Sequence, residues 1–275
     1  MSESMSDYVL GLDWINQKQG WACARCDMNA PGQMVFSTLL VEEAIEPLVK
    51  DAACIVVDSP IGLYGLQPEG CKIRPCDQGA RQWVGPGMQS SIFAVPYENE
   101  LTLWRQRRLE GSPQKQGHFR GLLPMIHSAD CIRRQNPRTL ESHPELTFAA
   151  LGCGKLSGYA SKKTLLGQLL RVAILHQQGY SLDLRDLIPF ARIPSDNFID
   201  ATAMAIVACG WYRDGKLPVI REQSGDPVIH TSHDRDDFLI ALPKCFSDSR
   251  ELPPLTSEQI MHQIQLWGRS IGTAT

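Results

Sequence analysis

No apolar run in this 275-residue chain approaches the roughly 20 residues that span a bilayer, so a membrane protein is not expected. The N-terminal MSESMSDY has neither a basic start nor an apolar centre, so no signal peptide is expected and a cytoplasmic location is. Internal repeats and low-complexity stretches are absent. So is the Gly-x4-Gly-Lys-Ser/Thr phosphate loop, to which Gly154-Lys155 is only a partial likeness. Charge of one sign is scarce: 27 Lys and Arg against 30 Asp and Glu leave a net −3, unlike a protein that coats nucleic acid. The nine cysteines form no usable metal or redox spacing. Cys23-x-x-Cys26 lies in a strand-like stretch, where residues three apart face opposite sides, and Cys71-x4-Cys76 is no better. The thiols read as reduced, small hydrophobes.

What is present is an ordinary globular composition, 43% hydrophobic and 21% charged. A chain of this length buries about three quarters of its unfolded surface. Tyr8 to Trp14, Trp21 to Met28 and Met34 to Leu40 read as three strands with short links, an antiparallel meander. Val41 to Asp51 reads as a helix, with Pro47 predicting a kink or early stop. Ala53 to Val57 is an unbroken apolar run that fits a central strand, ended by Asp58-Ser59-Pro60. A helix between strands of one sheet favours a parallel crossover, so Asp13 and Asp58 are expected at the same sheet edge. Glycine and proline mark residues 62–137 as a long insertion, with helices expected at Glu98 to Glu110 and Phe119 to Gln135. The stretch from Leu101 to Arg138 carries eight basic residues, among them Arg105, Arg107 and Arg108, against Glu110 and Asp130. This is a surface suited to guiding a polyanion.

Further on, Arg138 to His143 reads as a strand and Glu145 to Leu151 as a short helix. Helices follow over Ser161 to Gln178 and Ser195 to Trp211, the latter with Ser195 as its expected cap and Asp196 in its first turn. Short strand-like pieces, PVI and DFLIALP, lie within Gly215 to Lys244, and Thr256 to Ile271 reads as a terminal helix. One domain is expected over residues 1–275, with the insertion at about 62–137 and a C-terminal extension at about 212–275.

Four acids stand at the ends of expected elements or inside apolar ones: Asp13, Asp58, Glu141 and Asp200. Mg²⁺ takes carboxylate oxygens and keeps several waters, and such ions activate water against phosphodiesters. Asp200 lies in IDATAMAIVAC, where a lone charge needs either a cation or a buried arginine. Asp196 is a helix-start acid and an accessory. Lys162 and Lys163, at a helix start, either meet a phosphate or face water. Arg74 and Arg81 flank Asp77 at helical spacing and either pair with it or reach a substrate. His230-x-x-His233-Asp234 reads as a solvated loop, and His143 as a core or supporting residue.

The ordered set of Asp13 on the first strand, DSPIGL, RPCDQGAR, SSIF-x-VP, ESHPEL, SKKT and DNFIDATAMA resembles the predicted ribonuclease-H-like nucleases called domain of unknown function 429. The similarity runs from about Tyr8 to Trp211, and GDP with Leu242-Pro243 resembles the family's C-terminal end. The resemblance implies an α/β fold: a ribonuclease-H-like mixed sheet, an antiparallel three-strand meander plus parallel strands, with helices on both faces. It implies Asp13, Asp58 and Asp200 as metal ligands with Asp196 assisting, and Mg²⁺ or Mn²⁺ as the cofactor. Glu141 is matched by this family's own motif and not by ribonuclease H. That enzyme's acid on the first helix has Glu42, Glu43 and Glu46 as counterparts, none singled out. The motifs also place Ser90 and Ser91 with Arg74 and Arg81 as candidate substrate-binding residues.

The leading expectation is therefore a divalent-metal-dependent nuclease acting on DNA or RNA, with Asp13, Asp58, Glu141 and Asp200 catalytic. The rivals are a catalytically weak nucleic-acid-binding protein of the same fold and a phosphotransferase of the actin and sugar-kinase superfamily. The last fits poorly, because that fold needs two copies and glycine-rich loops.

Overall fold

Tyr8–Asn16 (β1) is the strand around which the sheet is assembled, paired along both edges. The structure, a computed structural model, describes residues 7–40, 46–63, 73–84, 88–95, 97, 119–152, 161–220, 228–231 and 240–242. Gly20–Asp27 (β2) returns antiparallel to β1, and Met34–Leu39 (β3) returns antiparallel to β2. The short helix Glu46–Asp51 (α1) leads to Cys54–Asp58 (β4), which runs parallel to β1. Pro47 is the second described residue of this helix. Residues 41–45 of the expected helix lie outside the described residues.

Pro75–Val84 (α2) and a 3₁₀ turn at Gln89–Ser91 follow, then Phe119–Gln135 (α3), and Thr139–Ser142 (β5) parallel to β4. The sheet order is β3-β2-β1-β4-β5, a mixed five-stranded α/β sheet. Pro144–Leu151 (α4), Leu165–Gln177 (α5), a 3₁₀ segment Leu184–Phe190 and Ser195–Asp214 (α6) complete the helical layers. Lys216–Ile220 (β6), Val228–Thr231 (β7) and Ile240–Ala241 (β8) form a second sheet in the order β7-β6-β8. It is tied to the first by Ser142 Oγ, which donates to Ala241 O at 2.7 Å.

Strand alternation divides the core in two. One face sends Leu10, Leu12, Cys23, Ile55 and Val57 toward α1 and α3, where Val49, Met125, Ala129 and Ile132 close the layer. The other sends Val9, Ala22, Ala24, Cys26, Cys54 and Val56 toward α6, backed by Phe148 of α4 and by Val172 and Leu175 of α5. Cys23 and Cys26 thus lie on opposite faces, and both are free thiols. Residues 119–135 of the expected insertion are a sheet-covering helix on the crossover from β4 to β5, since parallel strands cannot be joined by a hairpin. Asn136 at its end donates to Val49 O at 2.9 Å and Ala52 O at 2.7 Å, tying α3 to α1.

The helix α6 lies directly against β1. At Gly11 a Cβ would come within 2.1 Å of Ala201 O and of Ala205 N, so only glycine permits this approach. Gly215 ends α6 in the left-handed conformation, φ 62°, its N–H donating to Trp211 O at 2.8 Å.

Three expectations are corrected at helix starts and ends. Pro194, not Ser195, precedes α6, and Ser195 Oγ donates instead to Gln168 Oε1 at 2.9 Å. Residues 161–164 form a turn rather than helix, because Thr164 Oγ1 caps α5 by accepting from Gly167 N at 3.2 Å. Leu165 and Leu166, expected on the apolar side, are consequently exposed. The expected helices at 98–110 and 256–271 and the arginines 105, 107 and 108 lie outside the described residues. No helix among the described residues is long and apolar enough to cross a membrane.

Candidate functional site

Parallel pairing sets Asp13 of β1 beside Asp58 of β4 in register. Both follow alternate residues, Val9 and Gly11 on one strand and Cys54 and Val56 on the other, that face α6. Both carboxyls are buried, 5% and 7% exposed. Asp13 is pushed well above the ordinary carboxylate value, by burial first and then by the charges of Asp58 and Asp200. Asp58 is pushed up by burial, against the pull of His143, Asp13 and Lys162. Asp13 Oδ2 also accepts from Asn197 Nδ2 at 2.7 Å, and Asn197 reaches Trp14 O at 3.3 Å. Asp58 Oδ1 is buried and has no hydrogen-bond partner among the described residues.

Asp200 projects from α6 beside this pair. Its Oδ1 accepts from Arg171 Nη1 at 2.8 Å and its Oδ2 from Lys162 Nζ at 2.6 Å. Burial still raises it, over the pull of those two cations. Arg171 spans from Asp200 to Glu145 Oε2 and lies over the Phe148 ring, 4.7 Å from its centroid. Lys162 Nζ is 3.9 Å from Glu145 Oε1. Burial alone would lower the lysine, but Asp200, Asp13, Asp58 and Glu145 together hold it above its ordinary value. Asp196 stands apart in an ion pair with Lys163 at 2.5 Å.

Glu141 is not brought to this cluster. It pairs in register with Val57, whose side chain belongs to the opposite core, while Ser142 is the residue beside Asp58. There the fully buried Arg74 donates to Glu141 Oε2 at 3.0 Å and Oε1 at 2.5 Å, and to Asp77 Oδ2 at 3.0 Å and Oδ1 at 2.6 Å. Ile61 N donates to Glu141 Oε2 at 3.0 Å and Val95 N to Asp77 Oδ2 at 3.2 Å, so the triad ties three loops together. Arg74 therefore offers no surface to a substrate. Arg81 donates to Ile92 O at 2.7 Å, inside the same assembly. Ser90 is exposed and Ser91 half-buried, on the 3₁₀ turn beside it.

His143 caps α4, its Nδ1 accepting from Glu145 N at 3.2 Å. Its Nε2 is buried without a hydrogen bond among the described residues, and burial lowers the ring's pKa against the opposing charge of Asp58. His143 is thus a helix cap close to the site.

Glu145, Arg171 and Asn197 were not foreseen as members. Arg171 carried a signal, a guanidinium inside the apolar run Leu169–Leu175. Asn197 carried one too, placed between the paired aspartates of α6. Glu145 carried none, because an acid after proline reads as a helix-start residue.

Among the described residues no group of three or more His, Cys, Asp or Glu side chains is arranged to hold a metal ion. Asp13, Asp58, Asp200 and Glu145 surround two cationic side chains, Lys162 and Arg171, in a buried space. Mg²⁺ is commonly held by one or two carboxylates and its own waters. Two in-register carboxylates with a buried, unpartnered oxygen fit such an ion. The described residues offer no third ligand, because Asp200 is taken up by Lys162 and Arg171.

The family model described as "Protein of unknown function (DUF429)" matches residues 11–224. No curated protein and no solved structure matches the chain.

Proposed function

The chain belongs to the DUF429 family, whose description names no activity, and we propose that it is a divalent-metal-dependent hydrolase of phosphodiester bonds in nucleic acid. The observation that carries this reading is the Asp13–Asp58 pair, in register on adjacent parallel strands with Asp58 Oδ1 unpartnered among the described residues. The strand order β3-β2-β1-β4-β5, an antiparallel meander followed by two parallel strands, supports a ribonuclease-H-like identity for the sheet. Position on the sheet supports it too, since α/β sheets bind ligands at the C-terminal ends of their strands.

In this reading Asp13 and Asp58 hold Mg²⁺ or Mn²⁺. The bound ion supplies a water of lowered pKa and an electrophile for a phosphoryl oxygen. Asn197 fixes the orientation of Asp13. Arg171 locks Asp200 to Glu145 and so holds α6 in place at the strand ends. Lys162 and Lys163 stand at the more exposed side of the cluster, where a phosphate would be met. Glu141, turned to the other face, acts as a structural pin, and Asp196 is neutralised by Lys163.

A second reading, a nucleic-acid-binding protein without turnover, is favoured by one observation: Asp200 is already occupied by two cations. Incubation with single-stranded and duplex DNA, RNA and hybrid, with Mg²⁺ or Mn²⁺ against chelator, separates the two. The hydrolase gives metal-dependent cleavage of at least one, lost in Asp58→Asn and Asp13→Asn. Binding without cleavage of any of them overturns the hydrolase.

A further inference from the structure

Lys162 and Arg171 both neutralise Asp200, but they are built differently. Arg171 is 6% exposed, bridges two carboxylates from the middle of α5 and is backed by the Phe148 ring. Lys162 is 28% exposed and sits in the turn before α5, on a flexible four-carbon stem. Its ammonium lies 2.6 Å from Asp200 and 3.9 Å from Glu145, and its charge also acts on Asp13 and Asp58. The four carboxylates therefore already hold one removable positive charge. A divalent ion entering the same cluster would meet that ammonium as a like charge.

We infer that Lys162 is an internal counter-cation, which competes with a divalent metal for the carboxylate cluster and swings toward solvent when the ion binds. The inference rests on the reading of Asp13 and Asp58 as the metal's ligands. The coupling is reciprocal: whatever free energy the ammonium gains from the carboxylates in the metal-free protein weakens the metal by the same factor. Removing the ammonium has two opposite effects. The metal-free protein loses a counter-charge, and the metal loses a competitor.

Titration of Mn²⁺ into metal-free wild type, Lys162→Gln, Lys162→Arg and Asp58→Asn, followed by calorimetry and by thermal melting, tests this. Lys162→Gln is expected to melt lower than wild type without metal, and to bind Mn²⁺ about tenfold more tightly, within the usual range of such couplings. Lys162→Arg keeps the charge and is expected to keep the wild-type Kd. Should Lys162→Gln fold only when Mn²⁺ is present, the ion is replacing the ammonium, which supports the inference. A Lys162→Gln Kd equal to or weaker than that of wild type overturns it, while Asp58-dependent binding leaves the metal reading standing. Equal Mn²⁺ binding by wild type and Asp58→Asn overturns the metal reading, and the inference with it.

Discussion

A carboxylate oxygen buried without a partner destabilises the fold that buries it, and a second carboxylate alongside adds repulsion. Asp58 is in this position, with Oδ1 unpartnered among the described residues and Asp13 beside it. Asp58→Asn removes one charge and keeps the shape. The metal-free variant is expected to melt at or slightly above the wild type. Excess Mg²⁺ or Mn²⁺ stabilises a binding protein by about 2.7 kcal/mol at one hundred times Kd, and the variant is expected to lose most of that gain. Equal loss of stability in chelator and in metal would make Asp58 an ordinary structural residue. Glu141→Gln supplies the opposite pattern, because it breaks a buried pair and leaves Arg74 short of a counter-charge. It is expected to cost about 3 kcal/mol in chelator and metal alike, with the metal-induced shift intact; a selective loss of that shift would return Glu141 to the site. The three aspartates were legible because each interrupts or ends an apolar stretch. The role of Glu141 was not. Its partner is 67 positions away, and which face it takes depends on the register of β5 against β4.

At the scale of elements, the site depends on how closely α6 lies on β1. Gly11 is two residues before Asp13 on the same face, and the backbone of Ala201, next to Asp200, fills the space its side chain would need. Gly11→Ala must therefore push α6 away from the sheet. Overpacking of this kind costs about 1–3 kcal/mol, and here the obstacle is backbone, which cannot rotate aside. The variant is expected to melt well below wild type and to show a reduced Mn²⁺ response, since Asp200 and Asn197 move with α6. A variant with unchanged melting and metal response would show that this approach does not set the site. Apolar runs with clear boundary residues made β1, β2, β4, α3 and α6 readable, each to within a few residues. The helix α2 was not readable, because PCDQGARQWV contains proline and glycine and buries Asp77 against an arginine just outside it. The turn at 161–164 was misread as helix because Thr164 is as good a cap as Ser161. The difference matters, since it is this turn that carries Lys162 to Asp200.

For the whole molecule the buried charge becomes a dependence of stability on pH. Asp13 and Asp58 have folded-state pKa values raised above their ordinary 3.8. Between that value and the raised ones, the folded chain keeps protons that the unfolded chain has released. Stability from these groups is therefore fully present below the unfolded value and is lost as pH rises through the folded ones. Other groups shift the other way; burial lowers His143, for example, so the absolute curve mixes several terms. Comparing two curves for the same protein removes most of them. Metal binding needs deprotonated carboxylates, so saturating Mg²⁺ takes over from the protons as pH rises. The melting temperature of metal-free protein is expected to fall, relative to that with Mg²⁺, as pH is raised from about 4 to 8, and the gap should widen monotonically. In the Asp13→Asn, Asp58→Asn double variant the two curves are expected to run together at every pH. Parallel, widely separated curves in the wild type would mean that the ion binds elsewhere, at groups that stay deprotonated across that pH range.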